Sequence, residues 1–336
     1  MRALAVDRQT EQELAGRILC HDVRGSDREI VFRKGHLLRA DDMPRLRQCP
    51  WTEIHLLELA PDDLGQREAG QRLAGILSGA GLHSAPAGHR HVLKATHNGL
   101  LKIDVPRLQS VNRVAGIAVF TRTNDLVVRA DQVVAEAQIT PLAIERRAID
   151  EVEQIVRRGG AVVRLLPFTP REVIVWKRDD RLVPAVTEKL RWFGCPLREV
   201  LALPADAGAI RATMEDRLKP VPTLFLVLGS NALDPLDPVF QALEQMGANM
   251  QRMGMPVHPG TLLWIASWRE VTIVGLPSCG LGAQVTAFDL VLPKILAEGA
   301  IGDEEIAALG HGGMLVRGAG ADPADQTNEV RSSRFE

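Results

Sequence analysis

Along the second half of the chain, short apolar runs alternate with stretches of helical spacing, the pattern of strands connected by helices. EVIVWK (172–177), REVLAL (198–203), TLFLVL (223–228), ANMQRM (248–253), TLLWIA (261–266) and VTIVG (271–275) read as strands. Helices are expected over 184–193, 207–218 and 238–246, with a last long one over 283–297. Gly194 is a natural stop for the first of these. Alternation of this kind predicts an α/β fold, a three-layer domain with a mostly parallel sheet covered on both faces. Ligands of such sheets bind at the carboxyl ends of the strands, beside a topological switch point.

The first half has a different rhythm. Residues 14–59 read as short strands and turns: GRILCHDV, REIVF, the Lys34-Gly35 turn and EIHLLEL, with a short helix over 40–47. Asp41 and Asp42 suit the positive N-terminal end of that helix. Residues 62–77 read as a helix with Leu64, Leu73, Ile76 and Leu77 on its inner face. HVLKAT, GLLKIDV, GIAVFTRT and VVAEAQI then read as strands, with one helical turn after Val105-Pro106. Residues 143–158 return to helical spacing through Ile144, Ala148, Ile149, Val152 and Ile155, and Gly159-Gly160 ends it. The expected organisation is an α+β module at 1–81, a β-rich module at 82–145, an α/β domain at 146–315 and a disordered tail at 316–336.

Composition narrows the classes. A chain of 336 residues that is 46% hydrophobic can build a core in each module. A net charge of −2 with no basic block disfavours non-specific nucleic-acid binding and adhesion to an anionic membrane. Cys20, Cys49, Cys195 and Cys279 are far apart, so neither a disulfide framework nor a zinc ribbon is suggested. The N-terminus makes a poor signal peptide, and no apolar run is long enough to span a bilayer, so the expected location is cytoplasmic. His83, His89, His91 and His97 cluster, and HRH sets two imidazoles on one strand face, but no nearby carboxylate completes a metal site. They read as ordinary surface histidines.

Candidate chemistry collects in four loops that follow strands: LPADAG with Asp206, GSNALDPLD from Gly229 to Asp237, MPVHPGT through Thr261, and GLPSCGLGA from Gly275. Gly229, Gly275, Gly280 and Gly282 would let backbone approach a ligand closely. Amides opening the last helix would make an anion site. Asp234 and Asp237 cannot hold a phosphate, so they would act through a hard cation such as magnesium. Each residue also has a plainer reading: Asp237 before Pro238 is a helix cap, Asp206 another, Pro259-Gly260 a turn, and Cys279 a buried hydrophobe. From residues alone, the loops imply an α/β domain with an anionic ligand.

The order and wording of these loops resemble the molybdopterin-binding domain shared by molybdenum insertases and molybdopterin adenylyltransferases, the MoaB/Mog-like domain. GSNALDPLD has the length of that family's GGVSxGxxD motif, MPVHPGT stands at its KPGKP-like turn, and GLPSCGLGA at its GLPGNPxSA loop. Over most of the chain, from FRKGHLL through GLLKIDVPRLQSVNRV to DEEIAALGHGGML, the sequence also resembles the molybdopterin-binding half of bacterial proteins fused to a nucleotidyltransferase. The resemblance implies that Gly229, Ser230, Asp234, Pro259, Gly260, Thr261, Gly275, Pro277, Ser278, Cys279 and Gly280 bind molybdopterin or the molybdenum cofactor. It implies catalytic roles for Asp206 and Asp237, and magnesium ligation by Asp234 and Asp237. Partners implied are a recipient molybdoenzyme or other cofactor-biosynthesis proteins, with homo-oligomers common among such domains. Ser230, Thr261 and Ser278 depart from the insertase pattern, and KRDDRLVPA lacks its TGDEL-like acidic loop. A non-catalytic binding or carrier protein is therefore favoured. A magnesium-dependent adenylyltransferase or insertase, and a regulatory scaffold with a decayed pocket, stay open.

Overall fold

A computed structural model describes residues 1–8, 14–217, 223–278 and 285–315. Cys279, Gly280, Gly282, the expected start of the last helix and the expected tail at 316–336 lie outside the described residues. The chain divides into two units: Met1–Thr96, Lys102–Asn124 and Ala130–Leu165 form the first, while His97–Leu101, Asp125–Arg129 and Leu166–Glu336 form the second. Among the described residues, no helix is long and apolar enough to cross a membrane.

The first unit is built from small antiparallel sheets. Arg2–Asp7, which carries no strong alternation, pairs with Glu53–Glu58, and a four-stranded sheet runs Ile117–Thr121, Val133–Ile139, Arg90–Ala95, Leu82–Ala87. Two expected helices begin later than their apolar spacing suggests, at Gln66 and Arg146. The reason is non-local: Asp63–Gly65 pairs antiparallel with Ala143–Glu145, setting Leu64 opposite Ile144. Both leucine and isoleucine fit a helical stripe, but each is buried from a strand. The helix after Val105 runs for eight residues, Val105–Asn112, capped by Asp104.

The second unit carries a six-stranded sheet. Its strands are β1 (Glu172–Lys177), β2 (Leu197–Ala202), β3 (Thr223–Leu228), β4 (Asn249–Met253), β5 (Trp264–Trp268) and β6 (Val271–Leu276). They lie in the order β2-β1-β3-β6-β5-β4. β2, β1, β3 and β6 are mutually parallel, and β5 runs antiparallel to both β6 and β4. The helices are α1 (Val183–Trp192), α2 (Ala207–Arg217), α3 (Pro238–Gln245), α4 (Ala287–Glu298) and α5 (Asp303–Ala308). Alternate strand residues feed two cores. Val173, Val175, Leu224 and Leu226 pack with Val186 of α1, Phe288 and Leu292 of α4 and Ile306 of α5. Ile174, Trp176, Phe225 and Val227 pack with Ile210 and Met214 of α2 and Phe240 and Leu243 of α3. Helices thus cover both faces, as buried parallel strands require.

One buried polar group in the first unit gives a test. His91 is buried, its Nδ1 has no hydrogen-bond partner, and it lies over Gly70, where a Cβ would come within 3.0 Å. Burial first, and the charge of Arg67 second, push its pKa below the ordinary histidine value. The unfolded chain therefore takes up a proton near pH ~6.5 that the folded chain resists, so stability falls as pH drops below that value. Thermal melts across pH 5 to 8 should show this slope, and His91→Phe should flatten it.

Candidate functional site

Strand register decides where the loops emerge. Lys177 sits opposite Leu228 and Ala202, Leu228 opposite Leu276, Gly275 opposite Trp264, and Trp264 opposite Met253. The loops after β1, β2, β3, β4 and β6 therefore leave from one edge of the sheet. β2 and β3 flank β1 on opposite sides, which makes the carboxyl ends of β1 and β3 the switch point.

At that point Arg178 follows β1 and Gly229 follows β3. The Arg178 guanidinium holds Asp237 through two bonds, Nη1 to Oδ2 and Nη2 to Oδ1, both 2.6 Å. Asp237 Oδ1 also accepts the Val239 amide at 2.9 Å, capping α3. Burial works to raise the Asp237 carboxyl, but Arg178 and the Val239 amide outweigh it and hold the pKa below the usual value. Gly229 has φ +82°, and a Cβ there would lie 3.1 Å from Arg178 Cβ and 3.5 Å from Ser278 Oγ. The bare backbone of Gly229 thus faces Arg178 and Ser278 together.

The other expected residues serve nearer neighbours. Asp206 Oδ1 accepts the Ala209 amide at the start of α2, and Asp234 Oδ1 accepts the Leu236 amide within its own loop. Ser230 is fully buried and accepts a bond from the Trp264 indole at 3.1 Å. Gly275 is glycine because of the same indole: a Cβ would stand 2.0 Å from Trp264 Cε2 and Nε1. Gly260 lies against α4, where a Cβ would meet Ala287 N at 2.7 Å, and Pro259 O accepts that amide. Thr261 Oγ1 donates to Val257 O, Pro277 is buried, and Ser278 is exposed. Among the described residues, no group of three or more His, Cys, Asp or Glu is placed to hold a metal ion.

The expected anion site at the last helix is also spent on the protein. α4 begins at Ala287, and its first amides go to Pro259 O, Thr286 Oγ1 and Thr286 O. Thr286 and Asp289 form a capping box, and Asp289 is paired with the buried Lys189. Sequence reasoning missed Arg178. Its signal was a cation at the end of a central strand, but the aspartate that fixes it lies 59 residues away.

A family model for a domain of unknown function (DUF8806) matches residues 12–58. No curated protein matches the chain. Among solved structures, the chain is similar to the molybdopterin biosynthesis MoeA protein from Pyrococcus horikosii at 11% identity and a TM-score of 0.29. That match covers 70% of this chain and 79% of the other. A likeness of that size carries neither fold nor function.

Gly275→Ala tests the indole contact. Forcing a methyl against a fully buried indole costs about 1–3 kcal/mol of stability, read as a fall in Tm. Trp264→Phe in the same chain should recover part of that loss. An alanine variant as stable as the original would remove the packing reason for this glycine.

Proposed function

We propose that the carboxyl edge of the six-stranded sheet binds molybdopterin or its molybdenum form, and that the protein acts as a binding or carrier component in the maturation or delivery of that cofactor. The observation carrying this reading is the switch point itself, the place where parallel sheets form a ligand crevice, with Gly229 lying against Arg178 and Ser278 at the ends of β1, β3 and β6. The loops lining it are those whose wording resembles the molybdopterin-binding family. Phosphorylated ligands suit such crevices in parallel sheets.

In this reading Gly229 and Ser278 line the ligand. Pro259, Gly260 and Thr261 form the turn that braces α4 beside it. Gly275 and Ser230 support from beneath, through Trp264, and the buried Pro277 leads into Ser278. Asp237 anchors Arg178, since both of its oxygens already accept guanidinium N–H groups. A magnesium ion on Asp237 would sit against the guanidinium charge and compete with it for Oδ2, which favours binding over in-line phosphoryl transfer with bound metal. The recipient would be a molybdoenzyme or another protein of cofactor biosynthesis.

The full chain, purified from a host that makes the cofactor, should retain a pterin identified by mass and by fluorescence after oxidation, together with any bound molybdenum. Ser278 is exposed, so Ser278→Trp should fill the mouth of the crevice without unfolding the protein and lower retention by about tenfold or more. Retention unchanged in that variant would place the pterin elsewhere. Incubation with molybdopterin, ATP, magnesium and molybdate should give stoichiometric binding without adenylylated product. Turnover that disappears in Asp237→Ala would replace the carrier reading with an enzyme.

A further inference from the structure

An anionic ligand at this edge needs positive charge, and among the described residues the amides that open the helices are already engaged. The first amides of α4 bond to Pro259 O, Thr286 Oγ1 and Thr286 O. Those of α3 bond to Asp237, through Val239 to its side chain and through Phe240 and Gln241 to its carbonyl. At α2 the Ala209 amide goes to Asp206. Two neighbouring cations have partners of their own, Lys177 with Asp180 and Arg181 with Asp179. Among the described residues, helix ends therefore offer little to a phosphate here, and of these three paired cations Arg178 is the one whose carboxylate is nearly buried and so holds it in place.

Its chemistry suits the task. A guanidinium carries five N–H donors in a rigid fork. Asp237 takes one hydrogen from each Nη, so the Nε–H and the second hydrogen of each Nη stay outside the ion pair. Asp237 is nearly buried, while Arg178 is more than one-third exposed. The carboxylate thus grips the fork from the protein side and leaves its other edges toward solvent. The Asp237 charge is in turn offset by the N-terminal end of α3, which it caps. The bare Gly229 backbone lies against Arg178 Cβ, at the root of the same side chain, and against the Ser278 hydroxyl.

Resting on the binding reading above, we infer that Arg178 is the oxyanion-recognising residue of this site. It is held in place by Asp237 and takes a tetrahedral oxyanion, a phosphate ester or molybdate, without a divalent cation. The tethered guanidinium supplies the charge that a bound metal ion would otherwise bring. Asp237 is a positioning residue in this scheme, acting on the ligand only through Arg178.

The test uses the full-length protein in buffer containing EDTA, with inorganic phosphate and sodium molybdate as separate probes in equilibrium dialysis. On the unaltered chain, arginine labelling by phenylglyoxal is mapped by mass spectrometry with and without each probe. Saturable binding that protects Arg178 from labelling is expected. Arg178→Gln should weaken binding by about tenfold or more, whereas Asp237→Asn, which keeps the guanidinium and one oxygen to hold it, should weaken it distinctly less. Both variants break the same ion pair, so a purely structural role would make them lose binding alike, and that outcome overturns the inference. So does binding that needs magnesium, or no saturable binding of either probe. Preference for phosphate points to the ester end of the ligand and preference for molybdate to its metal centre; either supports oxyanion recognition. Protection of Arg178 by phosphate with no pterin retained would keep this inference and remove the pterin reading. Pterin retention unaffected by Arg178→Gln would do the reverse.

Discussion

Every residue of β3, from Thr223 to Leu228, is buried, and its neighbours alternate between two separate cores. A strand with no face to water must have helices on both sides, and helices can reach both sides only through crossover connections between parallel strands. That constraint sets the rest. It brings the four parallel strands back in the same direction, so the loops after β1, β2, β3 and β6 begin at one edge. It also creates a point where the chain departs to either side of β1, and there Arg178 meets Asp237.

The same burial made this part of the fold legible in sequence. EVIVWK and TLFLVL are apolar runs without alternation, and both become strands over the residues expected. Helices α1, α2 and α3 begin within a residue of where proline, alanine and proline open them. The first unit was harder to read because its strands are short and paired across long intervals. Leu64 and Ile144 each continue a helical stripe, and only their mutual pairing, 80 positions apart in sequence, makes them strand residues. Local periodicity holds no record of such a partner.

The site was legible in its loops and illegible in its contacts. Three glycines with one expected role turn out to answer three different constraints. Gly229 has a left-handed backbone facing Arg178, Gly260 lies against the first turn of α4, and Gly275 makes room for an indole. The aspartates divide similarly. Asp206 and Asp234 bond to amides two or three residues ahead, which a sequence motif can anticipate. Asp237 does so as well, yet its stronger partner comes from another strand end, and no spacing rule announces it.

The anchoring of α4 explains why that partner matters. Asp289 accepts the Thr286 amide and hydroxyl and pairs with Lys189, while Pro259 O takes the Ala287 amide. Further along, Lys294 pairs with Asp125 and Glu305 and is itself nearly buried. A buried lysine left without its carboxylate would be costly, so these pairs fix the helix firmly in position. A helix held this way gives up its N-terminal amides to the protein. In the proposed binding, recognition of charge then falls to a side chain, and restraint lowers what that side chain loses on binding. Bidentate pairing restrains a guanidinium in both distance and plane, which a single contact cannot do. The aspartate that caps α3 is therefore also the group that aims Arg178, and the helix cap and the arginine anchor are one arrangement.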